Sequence, residues 1–138
     1  GGAGKSTIAR EVAKRLGIVQ VGTGALYRTL ALNCPRKGIE ISSEDRVIES
    51  LADATVELSY LDGAQRVLLN GEDVSLQIRT AEISMAASSV SAIPRVREHL
   101  IDMQRDIAAK NSCIMDGRDI VMEILPNADV KIFLNTSP

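Results

Sequence analysis

The first seven residues, Gly-Gly-Ala-Gly-Lys-Ser-Thr, constrain this chain more than any other segment, because a helical pattern follows them at once. Ile8, Val12 and Leu16 recur at helical spacing, and Gly17 stands where a helix is expected to end. Glycines before a helix leave backbone N–H groups open to an anion, and the helix dipole favours negative charge there. We therefore predict a phosphate-binding loop rather than a glycine-rich turn with a chance Lys-Ser pair.

In such a loop the lysine reaches the β- and γ-phosphates of a nucleoside triphosphate, and the serine hydroxyl ligates Mg²⁺. These roles fall to Lys5 and Ser6. The complete motif has one more glycine upstream of Gly1, after a buried strand, and a strand-like run at 129–134 closes the sequence. The sequence is therefore expected to be a fragment, cut at both ends. The predicted nucleotide-binding residues are Gly1, Gly2, Ala3, Gly4, Lys5, Ser6 and Thr7.

Two patterns of hydrophobic spacing follow the loop. Strand-like runs at 18–21, 113–115 and 129–134 alternate with helical stretches, which predicts an α/β fold with a parallel sheet and helices on both faces. Apolar alternation on either side of Asp62-Gly63 instead predicts an antiparallel hairpin. We therefore predict a small inserted lobe at 55–91, here called the hairpin lobe. The nucleotide-binding core would comprise 1–54 and 92–138.

Local signals mark several helix ends. Pro35 is expected to end or kink the second helix. Ser42 with Asp45 resembles a capping box before the third helix, and Pro94 can open the last one.

Charged residues lie just past two of the predicted strands. Asp116 ends the run at 113–115, and Arg28 and Arg118 each follow a strand end. The carboxyl edge of a parallel sheet is where nucleotide-binding folds place an acid near the metal and the γ-phosphate. The planar guanidinium group of an arginine at that edge can form paired hydrogen bonds to the phosphate of an acceptor substrate. Each residue alone is more often a turn or surface charge, but together with the loop they predict a phosphoryl-transfer site.

Composition points to small-molecule ligands. Sixteen basic and eighteen acidic residues give a net charge of −2, so no basic excess suggests a nucleic-acid or membrane partner. No apolar run approaches the roughly 20 residues that cross a bilayer. Cys34 and Cys113 form no CxxC pattern and are interpreted as reduced thiols. We expect a cytoplasmic monomer.

Seven motifs, in one order over nearly the whole sequence, resemble those of bacterial cytidylate (CMP) kinases. The hairpin lobe likewise resembles the insertion that sets these enzymes apart from adenylate kinases. The resemblance implies a P-loop nucleoside-monophosphate kinase fold in which 55–91 is the NMP-binding lobe. It also implies transfer of the γ-phosphoryl group of ATP, with Mg²⁺, to CMP or dCMP, giving CDP or dCDP and ADP. The motifs are the loop at 1–7, TGALYR at 23–28, NGEDV at 70–74, IRT at 78–80, PRVRE at 94–98, DGRD at 116–119 and PNADVKIFL at 126–134.

The resemblance also implies roles for individual residues. It places Thr23, Arg28 and Arg118 at the sugar-phosphate region of CMP, and Ser88, Arg97 and Asp119 at the cytosine ring. It makes Lys5, Arg118 and Asp116 the catalytic residues, and Ser6 and Asp116 the Mg²⁺ ligands.

The chain departs from the family pattern at Gly22, where Asp is usual, and at Val121-Met122, where Gly-Thr is usual. The arginine-rich lid of the family would follow Pro138, so we expect residues 1–138 alone to be inactive. Two alternatives stay open: another small-molecule P-loop kinase, or a nucleotide-binding piece without turnover. A nucleotide-dependent switch is disfavoured because the sequence has no Asn-Lys-x-Asp motif.

Overall fold

The structure, a computed structural model, describes residues 4–115, except for the side chains of Lys5 and Ser6. The predicted strand at 129–134 and the departure at 121–122 lie outside this range. The helices are α1 (Lys5–Leu16), α2 (Thr23–Arg36), α3 (Glu44–Ser50), α4 (Ala81–Ser91) and α5 (Pro94–Lys110). The strands are β1 (Val19–Val21), β2 (Val56–Leu61), β3 (Ala64–Leu69), β4 (Glu72–Asp73) and β5 (Cys113–Met115), and 3₁₀ turns lie at Leu51–Asp53 and Gln77–Arg79.

The parallel pairing predicted for the core is present between β1 and β5, with Val19 opposite Cys113. Helix α1 contacts both strands. Ala9 and Ala13 of this helix are buried. The larger apolar residues of α1 are exposed instead: Ile8 to 51%, Val12 to 37% and Leu16 to 66%.

The ends of α1, α2 and α3 can be compared with the ends predicted from glycine, proline and serine in the sequence. Gly17 follows α1 in the left-handed conformation, with φ 67°, as predicted. Pro35 lies in the last turn of α2, which ends one residue later at Arg36. The predicted cap of α3 is wrong: the N-cap residue is Ser43, not Ser42, and its side chain makes no capping hydrogen bond. The chain first turns at residues 40–43, where the Ser43 N–H donates to the Glu40 carbonyl at 3.0 Å.

The hairpin lobe contains the predicted antiparallel pair and one further strand. Strands β2 and β3 pair along their whole length, with Val56 opposite Leu69 at one end and Leu61 opposite Ala64 at the other. The connecting Asp62-Gly63 has φ values of 53° and 75°, as a type I′ turn requires. Strand β4 adds to β3 through Asn70-Gly71, which also has positive φ at both positions. The sequence interpretation missed β4, although Asn-Gly is a strong hairpin signal.

The two sheets share one hydrophobic core. Leu26 and Leu30 of α2 belong to the same buried cluster as Leu58 of β2 and Ile83 of α4. Helix α4 packs along α2, which connects the lobe to the parallel-sheet part of the chain. The fold is therefore α/β, with a parallel sheet, helices and a small antiparallel sheet, as predicted. The domain boundaries at 54/55 and 91/92 stay a prediction.

None of the helices in residues 4–115 combines the length and apolar character that a membrane-spanning helix needs. Cys34 and Cys113 are free thiols, and burial raises the pKa of each.

Candidate active site

The predicted phosphate-binding loop leads into α1 through Gly4. This residue has φ 72°, a conformation that glycine adopts at little cost, and its carbonyl accepts the Ile8 N–H at 3.0 Å. Helix α1 then begins at Lys5, and its first turn carries no acidic residue. The start of α1 thus has the positive end of the helix dipole where the sequence predicts the phosphate-binding loop, and that loop stays a prediction. Thr7 is exposed in this first turn, and residues 1–3 lie outside the described range.

A cavity of about 550 Å³ lies beside this helix, between α1, β1, the start of α2 and the hairpin lobe. Four basic side chains line it, and none of its described lining residues is acidic. Such a charge distribution favours an anionic ligand, and arginine in particular presents a planar fork to phosphate oxygens. We call this the basic cavity, defined by Arg10, Lys14, Arg28 and Arg79.

The predicted acceptor residues of α2 lie at or near this cavity. Thr23 is the first residue of α2 and is exposed, whereas Arg28 is half-buried and lines the cavity. A Cβ atom at Gly24 would stand 3.1 Å from Nη1 of Arg28, so glycine leaves room for the guanidinium. At Gly22 a Cβ atom would meet nothing within 4 Å. The departure from Asp at Gly22 therefore removes a carboxylate from the cavity wall without a steric cause.

The two described residues predicted to recognise cytosine lie at one junction between helices. Nη1 of Arg97 donates to the Ser91 carbonyl at 3.3 Å, and Oγ of Ser91 donates to the Ser88 carbonyl at 2.9 Å. The side chains of Ser88 and Arg97 are exposed, and neither is among the described residues that line the basic cavity. The structure thus places Ser88 in the last turn of α4 and Arg97 in α5, where its guanidinium is hydrogen-bonded to the end of α4 at Ser91.

Tyr27 connects this junction electrostatically to α2. Burial raises the pKa of the Tyr27 hydroxyl, and the positive charge of Arg97 lowers it by a smaller amount. Tyr27 immediately precedes Arg28, so both candidate acceptor regions adjoin the same helix. Asp116, Arg118 and Asp119 lie outside the described residues, and their placement stays a prediction.

Comparison with known proteins supplies the family. A model of the cytidylate kinase family matches residues 1–138, the whole of the chain. The chain belongs to the cytidylate kinase family. The resemblance stated from the seven motifs is thereby confirmed.

Individual cytidylate kinases are similar over almost the same range. That of Symbiobacterium thermophilum is 50% identical over 138 residues, which cover 99% of this chain and 61% of that protein. That of Caldicellulosiruptor bescii is 44% identical over 136 residues, covering 99% and 60%. That of Leuconostoc mesenteroides is 45% identical over 135 residues, covering 98% and 60%. The chain spans about three fifths of the length of these curated relatives.

The structure also shows a hydrogen-bonded relay in the cavity wall that the sequence interpretation missed. The Val67 N–H donates to Oγ of Ser75 at 2.9 Å, and this hydroxyl donates to Oδ1 of Asp73 at 2.6 Å. The same carboxylate oxygen accepts the Ser75 N–H at 3.0 Å. Both bonds from Ser75 hold the pKa of Asp73 below its usual value, the one from the hydroxyl having the larger effect. The positive charge of Arg66 makes a smaller contribution in the same direction. Asp-x-Ser is a recognisable local turn signal, so the sequence does contain the pattern.

Replacing Ser75 by Ala is expected to lower the free energy of unfolding by about 1–3 kcal/mol, because the buried Val67 N–H loses its acceptor. Thermal or urea unfolding of the intact protein measures this change. Ser89→Ala, on the exposed surface of α4, is the matched control and is expected to leave stability nearly unchanged. Equal stability of the Ser75 and Ser89 variants would contradict the importance of the relay.

Proposed function

We propose that the protein containing this chain transfers the γ-phosphoryl group of ATP to CMP or dCMP, forming ADP and CDP or dCDP. The observation that carries this proposal is the match of the cytidylate kinase family to the entire chain. The basic cavity, which borders α1 beyond its first turn at Arg10 and Lys14, supports it, because a kinase of this kind must hold two phosphorylated substrates next to each other. We also propose that the protein is a cytoplasmic monomer whose partners are these small molecules.

We assign the ATP phosphates to the loop at 1–7 and the start of α1. The left-handed Gly4 and the absence of acidic residues from the turn that follows it fit such a ligand. Lys5 would contact the β- and γ-phosphates, and Ser6 with Asp116 would hold Mg²⁺. When bound, Mg²⁺ neutralises charge on the phosphate oxygens of ATP.

We assign the acceptor nucleotide to both sides of α2. Arg28, with Thr23 and Arg118, would hold the phosphate of CMP, since Arg28 lines the basic cavity. Cytosine presents an amine donor next to the N3 and O2 acceptors. Asp119 can accept from that amine, while Ser88 and Arg97 can donate to the acceptors. The hydrogen bond from Arg97 to Ser91, at the end of the helix that carries Ser88, supports this assignment.

The reaction then requires mainly positioning and charge neutralisation. A phosphate oxygen of CMP attacks the γ-phosphorus of ATP, and the bond from that phosphorus to the bridging oxygen breaks, so the electron pair leaves on ADP. Lys5 and Arg118 would offset the negative charge of the migrating group. Because the attacking oxygen is already anionic, no side chain is needed as a general base.

An acceptor panel tests the proposal. The intact protein, with ATP and Mg²⁺, is assayed for ADP release with CMP, dCMP, UMP and AMP, and with no acceptor. We expect kcat/KM for CMP to exceed that for AMP by about 10²-fold or more, because AMP cannot satisfy groups built for cytosine. Equal rates with AMP would indicate another small-molecule kinase. ATP binding without ADP release on any acceptor would indicate nucleotide binding without turnover.

A further inference from the structure

The side-chain amide of Gln65 joins the hairpin lobe to the parallel sheet. Its Oε1 accepts the backbone N–H of Gln20 at 2.7 Å, and its Nε2 donates to the backbone carbonyl of the same residue at 2.7 Å. One side chain therefore satisfies both peptide groups of a residue in another sheet. The two residues are 45 positions apart in the sequence.

The register of β1 explains why these groups are available to the hairpin. In a parallel pair, successive residues direct their backbone groups to opposite sides of the strand. The Val19 N–H donates to the Ser112 carbonyl at 3.3 Å, on the side of β5. The peptide groups of Gln20 consequently point away from β5, towards β3. A primary amide carries a carbonyl and an N–H like a peptide, so Gln65 occupies the place of a neighbouring strand.

The hairpin presents this amide in a defined position. Gln65 is the second residue after the type I′ turn and pairs directly with Tyr60 across the hairpin. Tyr60, Gln65 and Gln20 all line the basic cavity. Directly after Gln20, β1 ends at Val21, and Gly22 begins the turn into α2, the helix that carries Arg28. The bridge therefore connects the hairpin residues that line the cavity to β1, the strand that leads into α2 and its cavity-lining residue Arg28.

We propose that Gln65 is a positioning residue: its amide holds the hairpin lobe against β1 and thereby sets the width of the basic cavity where the acceptor phosphate binds. The nature of the acceptor rests on the proposed function, whereas the bridge between the two sheets does not. Gln65 itself contacts no reacting atom and acts through the placement of Arg28.

Hydrogen exchange at the Gln20 amide tests the bridge without reference to activity. Gln65→Met keeps the length and volume of the side chain but removes both hydrogen-bonding groups. In the intact protein, we expect the Gln20 amide to exchange about 10-fold faster or more in this variant than in the wild type. Gln65→Glu keeps an acceptor for the N–H but, as a carboxylate, cannot donate to the carbonyl, so exchange should be intermediate. Exchange at the wild-type rate in Gln65→Met would overturn the proposal.

Kinetics test the positioning role. The KM for CMP is expected to rise about 10-fold in Gln65→Met, with kcat and the KM for ATP nearly unchanged, because ATP is assigned to the other end of the site. The matched control is Gln77→Met, since Gln77 is exposed and is not among the described residues that line the cavity. Faster exchange at Gln20 with an unchanged KM for CMP would overturn the positioning role. Absence of CMP turnover in the wild type would instead contradict the proposed function, and the exchange result would still decide on the bridge.

Discussion

Replacing Lys5 by Ala is expected to lower kcat for CMP phosphorylation by about 10²–10³-fold, because in the proposed reaction the migrating phosphoryl group would lose a stabilising positive charge. Lys5 is the first residue of α1, directly after the left-handed Gly4. Its ammonium group would act where negative charge accumulates, so the loss should fall on turnover more than on the affinity for CMP. A coupled assay of ADP release by the intact protein measures kcat and both KM values.

Two further variants make this test specific. Lys5→Arg retains the charge on a longer, planar group and is expected to restore little activity, since a fork cannot replace a compact ammonium in a tight loop. Lys110→Ala removes an exposed lysine at the end of α5, paired with Asp106 on the surface, and should leave turnover unchanged. Turnover of Lys5→Ala equal to that of Lys110→Ala would contradict the assignment of the loop to ATP.

Replacing Arg28 by Ala is expected to raise the KM for CMP by about 10- to 100-fold, because the acceptor phosphate would lose the charged hydrogen-bonding partner that we propose for it. Arg28 lines the basic cavity, and its guanidinium lies over Gly24. The KM for ATP should change little, since ATP is assigned to the loop and the start of α1. Initial rates measured over a range of both substrates separate the two effects.

The Arg28 prediction has its own controls. Arg28→Lys keeps the charge but not the planar fork, so its KM for CMP should lie between those of the wild type and Arg28→Ala. Arg46→Ala, on the exposed surface of α3, removes an arginine away from the described cavity lining and should leave both KM values unchanged. If the KM for ATP rose as much as that for CMP in Arg28→Ala, the cavity would not be specific to the acceptor.

Much of the fold follows from short-range signals. Gly4 and Gly17 both adopt the left-handed conformation at the ends of α1, and Asp62-Gly63 forms the predicted hairpin turn. Such features depend on the backbone preferences of one or two residues, so a sequence expresses them directly. Pro35 shows the limit: α2 continues one residue beyond it and ends at Arg36, so the proline marks the end of the helix only approximately.

The candidate site was predictable in part for the same reason. Motifs predicted the loop, Arg28, Ser88 and Arg97 as site residues, and the structure places Arg28 in the lining of the basic cavity and hydrogen-bonds Arg97 to Ser91 of α4. Arg10 and Lys14 were not predicted as cavity residues, because on α1 they are indistinguishable by sequence from solvated surface charges. They line a cavity only because the hairpin residues Tyr60, Gly63 and Gln65 form its other side.

The sequence by itself indicated the helices, the hairpin turn at Asp62-Gly63 and the family to which the motifs point, but not β4 or the N-cap of α3. The tertiary structure alone decided which surfaces meet. Apolar spacing in α1 does not reveal that Ala9 and Ala13 are buried whereas Ile8 is exposed, because periodicity shows which residues share a helix face but not what packs against that face. The bridge from Gln65 to Gln20 spans 45 positions and depends on the register of two separate sheets. No local preference encodes such a contact, since it forms only when long-range packing brings the two backbones together.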